Sequence, residues 1–320
     1  MKKIIIVAGD PNSINSEIIY KSWKKLNNKT RKYVYLIGSY ELITKQFKKL
    51  KFKLTLEKVT NLNKENASNK LKIIDIPLKF KNPFKVPFAN ASKYVHHCLN
   101  LGHKLANSSK VKGIINCSID KKLIISTGKI GVTEFLASKC KINNNSEVMM
   151  IHNRQFSVCP ITTHINIKDI NKKITSKLIF KKISTLNKYY KKLFKKKPKI
   201  GVLGLNPHNG ELRNNSEEKL KIIPAIMKLK NKGFNITGPL VADTVFVNLY
   251  KKYDVLIGMY HDQVLAPFKA IFHFKAINVT LGLNYIRVSP DHGPALNLLG
   301  KNKANYISLM ECIKFINRLK

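Results

Sequence analysis

Acidic residues are scarce in this 320-residue chain. Only 18 Asp and Glu stand against 59 Lys and Arg, for a formal net charge of +41. Such an excess rules out an acidic, cation-buffering protein and raises the possibility of a nucleic-acid partner. Arginine is scarcer still, at Arg31, Arg154, Arg213, Arg287 and Arg318 alone. Base reading and phosphate forks draw on Arg rather than Lys, so no specific nucleic-acid reader is expected. The lysines are spread along the whole chain with many Asn and Ile, as in the products of AT-rich genomes. The densest run, "KKLFKKKPK" (Lys191–Lys199), reads as a solvated helix end or linker. Any adhesion to polyanions should be non-specific and salt-dependent.

Long apolar runs are also missing, and none approaches the roughly 20 residues that span a bilayer. The opening "MKKIIIVAGDPNS" has too short an apolar stretch for a signal peptide, and turn-formers with an acid follow at once. It reads as a first β-strand, and a cytoplasmic location is expected. Cys98, Cys117, Cys140, Cys159 and Cys312 form no CxxC pair, and an odd number of them reads as reduced thiols. No GxGxxG occurs, and "GDPNSINSE" lacks the GK[ST] ending of a phosphate-binding loop. A nicotinamide cofactor would therefore bind in a non-Rossmann manner. An apolar fraction of 44% marks a globular protein.

What is present is a recurrence of short β-branched runs, at 4–8, 33–38, 112–117, 148–151, 199–205, 254–259 and 276–281. Stretches with helical spacing lie between several of them: 17–26 (Ile18, Ile19, Trp23, Leu26), 91–106 (Tyr94, Val95, Cys98, Leu99, Leu105) and 178–194. Residues 61–72 read as a loop. This alternation predicts an α/β architecture with a largely parallel sheet. In such sheets ligands sit beyond the carboxyl ends of the strands. There the chain places "GDPNSINSE", "NPHNGE", "YHDQ" and "GLNYIRVSPDHG", polar and rich in Gly and Pro.

Three histidines follow strand-like runs: His164 in "CPITTH", His208 in "NPHNGE" and His261 in "YHDQ". Neutral imidazoles on separate strand ends can hold a metal with a position open to substrate. Taken singly, each reads more readily as an ordinary loop residue, and their scattered spacing is a weak metal signal. Lys269, Asn278 and Arg287 follow within one short span, and Arg287 is the most informative because Arg is rare. Asp262 and Asp243 could orient a ligating His, and Asp243 reads equally as a helix cap. Asp10 has the same ambiguity.

The strings "GDPNSINSE", "TGKIGVTEFLA", "ITTH", "LNPHNGE", "GPLVADTVF", "MYHDQVLAPFK" and "INVTLGLNYIRVSPDHGPAL" resemble, in order, those of the 4-hydroxythreonine-4-phosphate dehydrogenases of vitamin B6 synthesis. The resemblance covers residues 9 to about 300. It implies an isocitrate/isopropylmalate dehydrogenase-like fold, with two α/β subdomains around a central cleft. Residues 1–125 with 265–320 would form the first subdomain. Residues 126–264 would form the second and carry most of a homodimer interface, with the active site at that interface. It implies NAD or NADP as cofactor and one divalent metal, zinc first, with magnesium or cobalt as alternatives, held by His164, His208 and His261. The substrate is a small phosphorylated hydroxy-amino acid. It would be bound by Thr133, Lys269, Asn278 and Arg287, with Asp262 and Asp243 as catalytic or orienting carboxylates.

The chain departs from the family pattern in four places. Val132 stands where the family has a substrate-binding His, and Val264 where "HDQG" has Gly. "INCSIDK" replaces "VTGPINK", and "SINSE" replaces "GIGPE". Val132 leaves open a related dehydrogenase for another phosphorylated sugar acid, such as phosphoerythronate or phosphothreonate. A polyanion binder on the same scaffold is the reading from another class.

Overall fold

The computed structural model describes residues 2–62, 69–125, 128, 131–142 and 147–319. The chain divides into two compact units, residues 1–141 with 283–320 and residues 142–282. Half of the loop expected at 61–72, and part of "TGKIG", lie outside the described residues.

In the first unit six parallel strands follow the order β3 (Leu56–Lys58), β4 (Leu71–Asp75), β2 (Val34–Gly38), β1 (Lys3–Val7), β5 (Val111–Asn116) and β12 (Arg287–Pro290). β1 and β2 are buried along their whole length. An unbroken Ile/Val run gives this result, because a parallel strand is covered on both faces. Helix Asn15–Lys25 buries Ile18, Ile19 and Trp23, the face that its spacing marks out. Helix Phe88–Ala106 buries Tyr94, Val95, Cys98 and Leu99 and packs on β1, β2 and β5.

The second unit orders its strands β11 (Ile277–Leu281), β6 (Val148–His152), β7 (Ser157–Pro160), β10 (Val255–Gly258), β8 (Ile200–Leu203) and β9 (Ile236–Leu240). β6 runs antiparallel to both its neighbours, and β7, β10, β8 and β9 are parallel. Helix Ser176–Phe194 is capped by Thr175, whose hydroxyl accepts from Leu178 N–H at 3.1 Å, and closes on left-handed Lys195. Helix His261–Phe272 lays Val264, Leu265, Phe268 and Phe272 on a core with Phe156, Val158 and Leu256.

The unit boundaries fall later in the chain than 125/126 and 264/265. Helix His261–Phe272 packs on β7 and β10, and β11 pairs with β6, so residues 265–282 belong to the second unit. All five cysteines are free thiols and four are buried. Burial pushes the Cys98 and Cys159 thiols up to about 12. Among the described residues no helix is long and apolar enough to cross a membrane.

Candidate active site

In the second unit, four parallel strands release their chains at one edge. In the sheet order β7, β10, β8, β9, the turns beyond them carry His164, His261, His208 and Asp243. Parallel strands lie about 4.8 Å apart, so these side chains start from neighbouring positions. The first two exits are laced together. Ile161 N–H donates to Gly258 O at 2.8 Å, and the Thr162 hydroxyl donates to Met259 O at 2.7 Å. The His164 and His261 ring centroids lie 5.9 Å apart, tilted by 39°. His261 Nδ1 lies 2.6 Å from Asp262 Oδ1. A proton on Nδ1 shared with that carboxylate leaves Nε2 with a free lone pair, the usual arrangement of a ligating imidazole.

His208 stands differently. After Pro207 the backbone turns left-handed at four consecutive residues, with φ of 50° at His208, 59° at Asn209, 58° at Gly210 and 50° at Glu211. Leu212 continues with φ 53°. Only Gly takes this conformation freely, and each other L-residue loses roughly 1–2 kcal/mol. Strain of this kind gathers at functional sites. The turn is held from below: Asn209 Nδ2 donates to Pro239 O at 3.2 Å, and Gly204 N–H donates to Leu240 O at 3.0 Å. Gly204 leaves no room for a side chain, since a Cβ there would sit 2.2 Å from Asn209 Oδ1.

His164, His208 and His261 are the three imidazoles of the expected metal site. His164 and His261 are a close pair, but no group of three or more His, Cys, Asp or Glu among the described residues is placed to hold a metal ion. Imidazole donors suit zinc or cobalt, and His208 lies exposed on its left-handed turn. Asp243 caps no helix end. It is exposed in the first turn of Ala242–Val245, whose N-cap is Val241.

Two further sequence-derived residues belong to this unit. Lys269 is exposed near the end of helix His261–Phe272. Asn278 sits in β11 opposite Ile151, and its buried amide Oδ1 has no hydrogen-bond partner among the described residues. A buried acceptor left unpaired calls for a ligand or a water. Val264 is fully buried beside Gly258, whose own Cβ would lie 2.5 Å from Val264 Cγ1. Val264 therefore leaves no room for a side chain at position 258.

In the first unit, Thr133 and Arg287 come together. Arg287 is buried, with Nε donating to Asn116 Oδ1 at 2.6 Å and Nη1 to Thr133 Oγ1 at 3.2 Å. Burial pulls its pKa down to about 10, against the opposing pull of Tyr285 and Glu134, and it stays cationic at neutral pH. Thr133 lies in the first turn of helix Val132–Lys139, whose N-cap Gly131 offers no side-chain oxygen to the first N–H groups. Val132 opens that helix half-exposed. Nearby, Asp10 closes the turn after β1: Oδ1 accepts from Asn12 N–H at 2.8 Å and Oδ2 from Asp120 N–H at 3.3 Å. Burial raises its pKa above the usual carboxylate value. It rests on Gly9 at φ +76°, where a Cβ would meet Ser118 O at 2.6 Å.

Three further residues shape the site. Asn116 is the acceptor that aims Arg287. Glu218 is fully buried among lysines and binds the His208 turn through Leu205 N–H at 2.7 Å and Asn206 N–H at 2.8 Å. Gln263 joins the ends of β8 and β10. A carboxylate in "SEEKLK" reads as a solvated helix face, and only the fold turns it inward.

Comparison with known proteins gives the family and the fold. The family model described as "Pyridoxal phosphate biosynthetic protein PdxA" matches residues 29–316. A 4-hydroxythreonine-4-phosphate dehydrogenase of Sulfurihydrogenibium sp. is 35% identical, with 100% of this chain and 99% of that protein covered. A putative D-threonate 4-phosphate dehydrogenase of Oceanobacillus iheyensis is 30% identical over 96% of this chain and 95% of its own length. Among solved structures, the 4-hydroxythreonine-4-phosphate dehydrogenase of Klebsiella pneumoniae superposes with a TM-score of 0.86 at 28% identity, covering 99% of each chain. The chain belongs to the PdxA family of pyridoxal phosphate biosynthetic proteins, dehydrogenases of the oxidoreductase class.

Proposed function

We propose that this chain catalyses the NAD(P)-dependent oxidation of 4-hydroxythreonine 4-phosphate in pyridoxal phosphate biosynthesis, acting in the cytoplasm as a homodimer. The secondary alcohol loses hydride to the nicotinamide ring and a proton from oxygen. The resulting 3-keto acid releases CO2 to leave 3-amino-2-oxopropyl phosphate. The observation that carries the reading is the set of imidazole-bearing turns on adjacent strand exits, in a chain whose relatives at 30–35% identity are phosphorylated hydroxy-acid dehydrogenases.

Each residue has a role on this reading. His164 and His261, with His208 brought in from its turn, would hold a divalent cation, zinc or cobalt by the nature of the donors. When bound, the cation supplies Lewis acidity that lowers the pKa of the substrate hydroxyl and polarises the ketone. Asp262 keeps the His261 proton on Nδ1. Asp243 stands exposed at the same edge, free to serve ligand or cofactor. Arg287 and Thr133, with the uncapped start of helix Val132–Lys139, receive the substrate phosphate, since a fixed guanidinium and free helix N–H groups match a dianion. Lys269 adds a point charge, and the unpaired Asn278 Oδ1 awaits a donor such as the substrate ammonium. The dimer reading is supported by the exposed Ile165, Ile167, Leu212, Val247 and Leu249, which flank the His164, His208 and Asp243 turns with apolar surface.

The test is NAD(P)H formation from 4-hydroxythreonine 4-phosphate with and without chelator. Turnover that needs the cation and falls away in His164→Ala and His208→Ala is expected. Chelator-insensitive turnover removes the cation from the reading. Val132, which offers no imidazole to the substrate, favours a second reading as a D-threonate 4-phosphate dehydrogenase. Competition between the two phosphorylated acids, compared by kcat/KM, decides it.

A further inference from the structure

We propose that Gln263 and Glu218 form a polar strut that holds the His208 turn and the His261 turn as one rigid body. The proposal rests on the imidazole-site reading above. The ladder between β10 and β8 runs from Val255–Ile200 to Ile257–Val202 and ends there. Beyond it Gln263 supplies another rung. Its Oε1 accepts from Met259 N–H at 2.7 Å, and its Nε2 donates to Gly204 O at 2.7 Å. One end of the amide faces a donor and the other an acceptor, so its orientation is unambiguous.

The strut continues through Glu218. Directly after Gly204, its Oε1 takes the N–H groups of Leu205 and Asn206, and Oε2 takes Asn206 Nδ2 at 3.0 Å. Glu217 Oε2 takes the same Nδ2 at 2.8 Å. The carboxylate is fully buried and begins a π-helical turn, Glu218–Ile222, of the kind that aims side chains at sites. A continuous path results, from helix His261–Phe272 through Gln263, Gly204, Leu205 and Asn206 to Glu218. The left-handed run begins two residues later, at His208. Without an anchored entry, that run relaxes toward right-handed backbone and carries the His208 ring elsewhere. Neither Gln263 nor Glu218 touches a reacting atom; both are positioning residues.

The test uses the full-length protein and cobalt(II) as probe. Gln263→Met keeps the length of the side chain and removes the amide. Glu218→Ala removes all three acceptor contacts, and Glu218→Gln keeps the oxygen that serves Leu205 and Asn206. Gln263→Met and Glu218→Ala should weaken cobalt binding roughly 10–100-fold, change its visible spectrum and lower kcat more than they raise KM. Glu218→Gln should recover most of the affinity. Amide exchange without metal provides the second arm. In Gln263→Met, the N–H groups of Asn206 to Leu212 should exchange faster, although they lie on the other turn.

Wild-type cobalt affinity and spectrum in folded Gln263→Met and Glu218→Ala, with exchange across 206–212 unchanged in Gln263→Met, would overturn the strut. If the wild-type protein takes up no cobalt, the imidazole reading fails and the exchange arm alone decides: faster exchange upholds the strut and unchanged exchange ends it. If Glu218→Ala does not fold, Gln263→Met carries both arms.

Discussion

Replacing Arg287 by Lys separates charge from geometry at the proposed phosphate subsite. The guanidinium is buried and aimed by two side chains, Asn116 at 2.6 Å and Thr133 at 3.2 Å. The guanidinium is a rigid planar fork that an ammonium cannot copy. Lys keeps the cation, so the loss should be one charge-assisted hydrogen bond to phosphate, about 1.5–3 kcal/mol. At about 1.4 kcal/mol per tenfold, that is roughly a 10–150-fold fall in kcat/KM, mostly through KM. The variant should also be less stable, because an unsatisfied Asn116 Oδ1 costs about 1–3 kcal/mol, and urea unfolding will show it. Initial rates of NAD(P)H formation, followed by absorbance, give the kinetic measurement. The decisive comparison uses 4-hydroxythreonine without its phosphate. Wild type and Arg287→Lys should turn it over equally poorly, because the lost bond has no partner. An equal penalty on both substrates would show that Arg287 acts only through the fold, and no penalty on either would refute the subsite.

Gly204→Ala should push Asn209 and the His208 turn outward, since the new Cβ would lie 2.2 Å from Asn209 Oδ1. An overpacking cost of about 1–3 kcal/mol in stability should accompany a fall in kcat of about 100-fold, and wild-type kinetics would contradict the close fit. Glu218 is held below the ordinary carboxylate value: burial pushes it up, but the N–H groups of Asn206 and Leu205 and the Asn206 amide outweigh burial. A depressed folded pKa contributes stability above the unfolded value near 4.5, which is lost as pH falls below it. Acid unfolding followed by circular dichroism should therefore begin at higher pH in wild type than the stability loss of Glu218→Gln would suggest, with the gap between the two proteins closing as pH drops. Ile167 is 82% exposed, and Ile167→Lys should convert a dimer to monomer in sedimentation velocity. An unchanged sedimentation coefficient would move the interface elsewhere.

Much of the fold is legible in the sequence because buried parallel strands write themselves as unbroken β-branched runs. All seven such runs coincide with strands, and "FSVCPI" holds β7. The strands that escape notice have other chemistry. β9 reads "ITGPL", with a Gly-Pro that argues against a strand. β12 is only "RVSP", β3 only "LEK", and β4 begins where a loop is expected. The site is legible to the extent that its residues follow strand ends. That rule finds His164, His208, His261 and Arg287. It does not say which way a turn winds, so the left-handed run through His208 is visible only in the structure. It is blind to Glu218, whose partners are backbone N–H groups with no signature in the sequence.

The charge imbalance sharpens this distinction. A surplus lysine on a helix face is solvated and changes little, so substitutions that raise the net charge accumulate where the fold is indifferent. The buried polar positions are not indifferent. A lysine at 287 cannot satisfy Asn116 and Thr133 together and still present two donors. A lysine at 218 would point a cation at three N–H donors inside the protein, where nothing compensates it. In a chain with 18 acids, a fully buried carboxylate that accepts from the backbone beside a strained His marks a constraint that composition has not eroded. For the same reason, one arginine, buried and aimed by its neighbours, says more about the chemistry than the lysines around it.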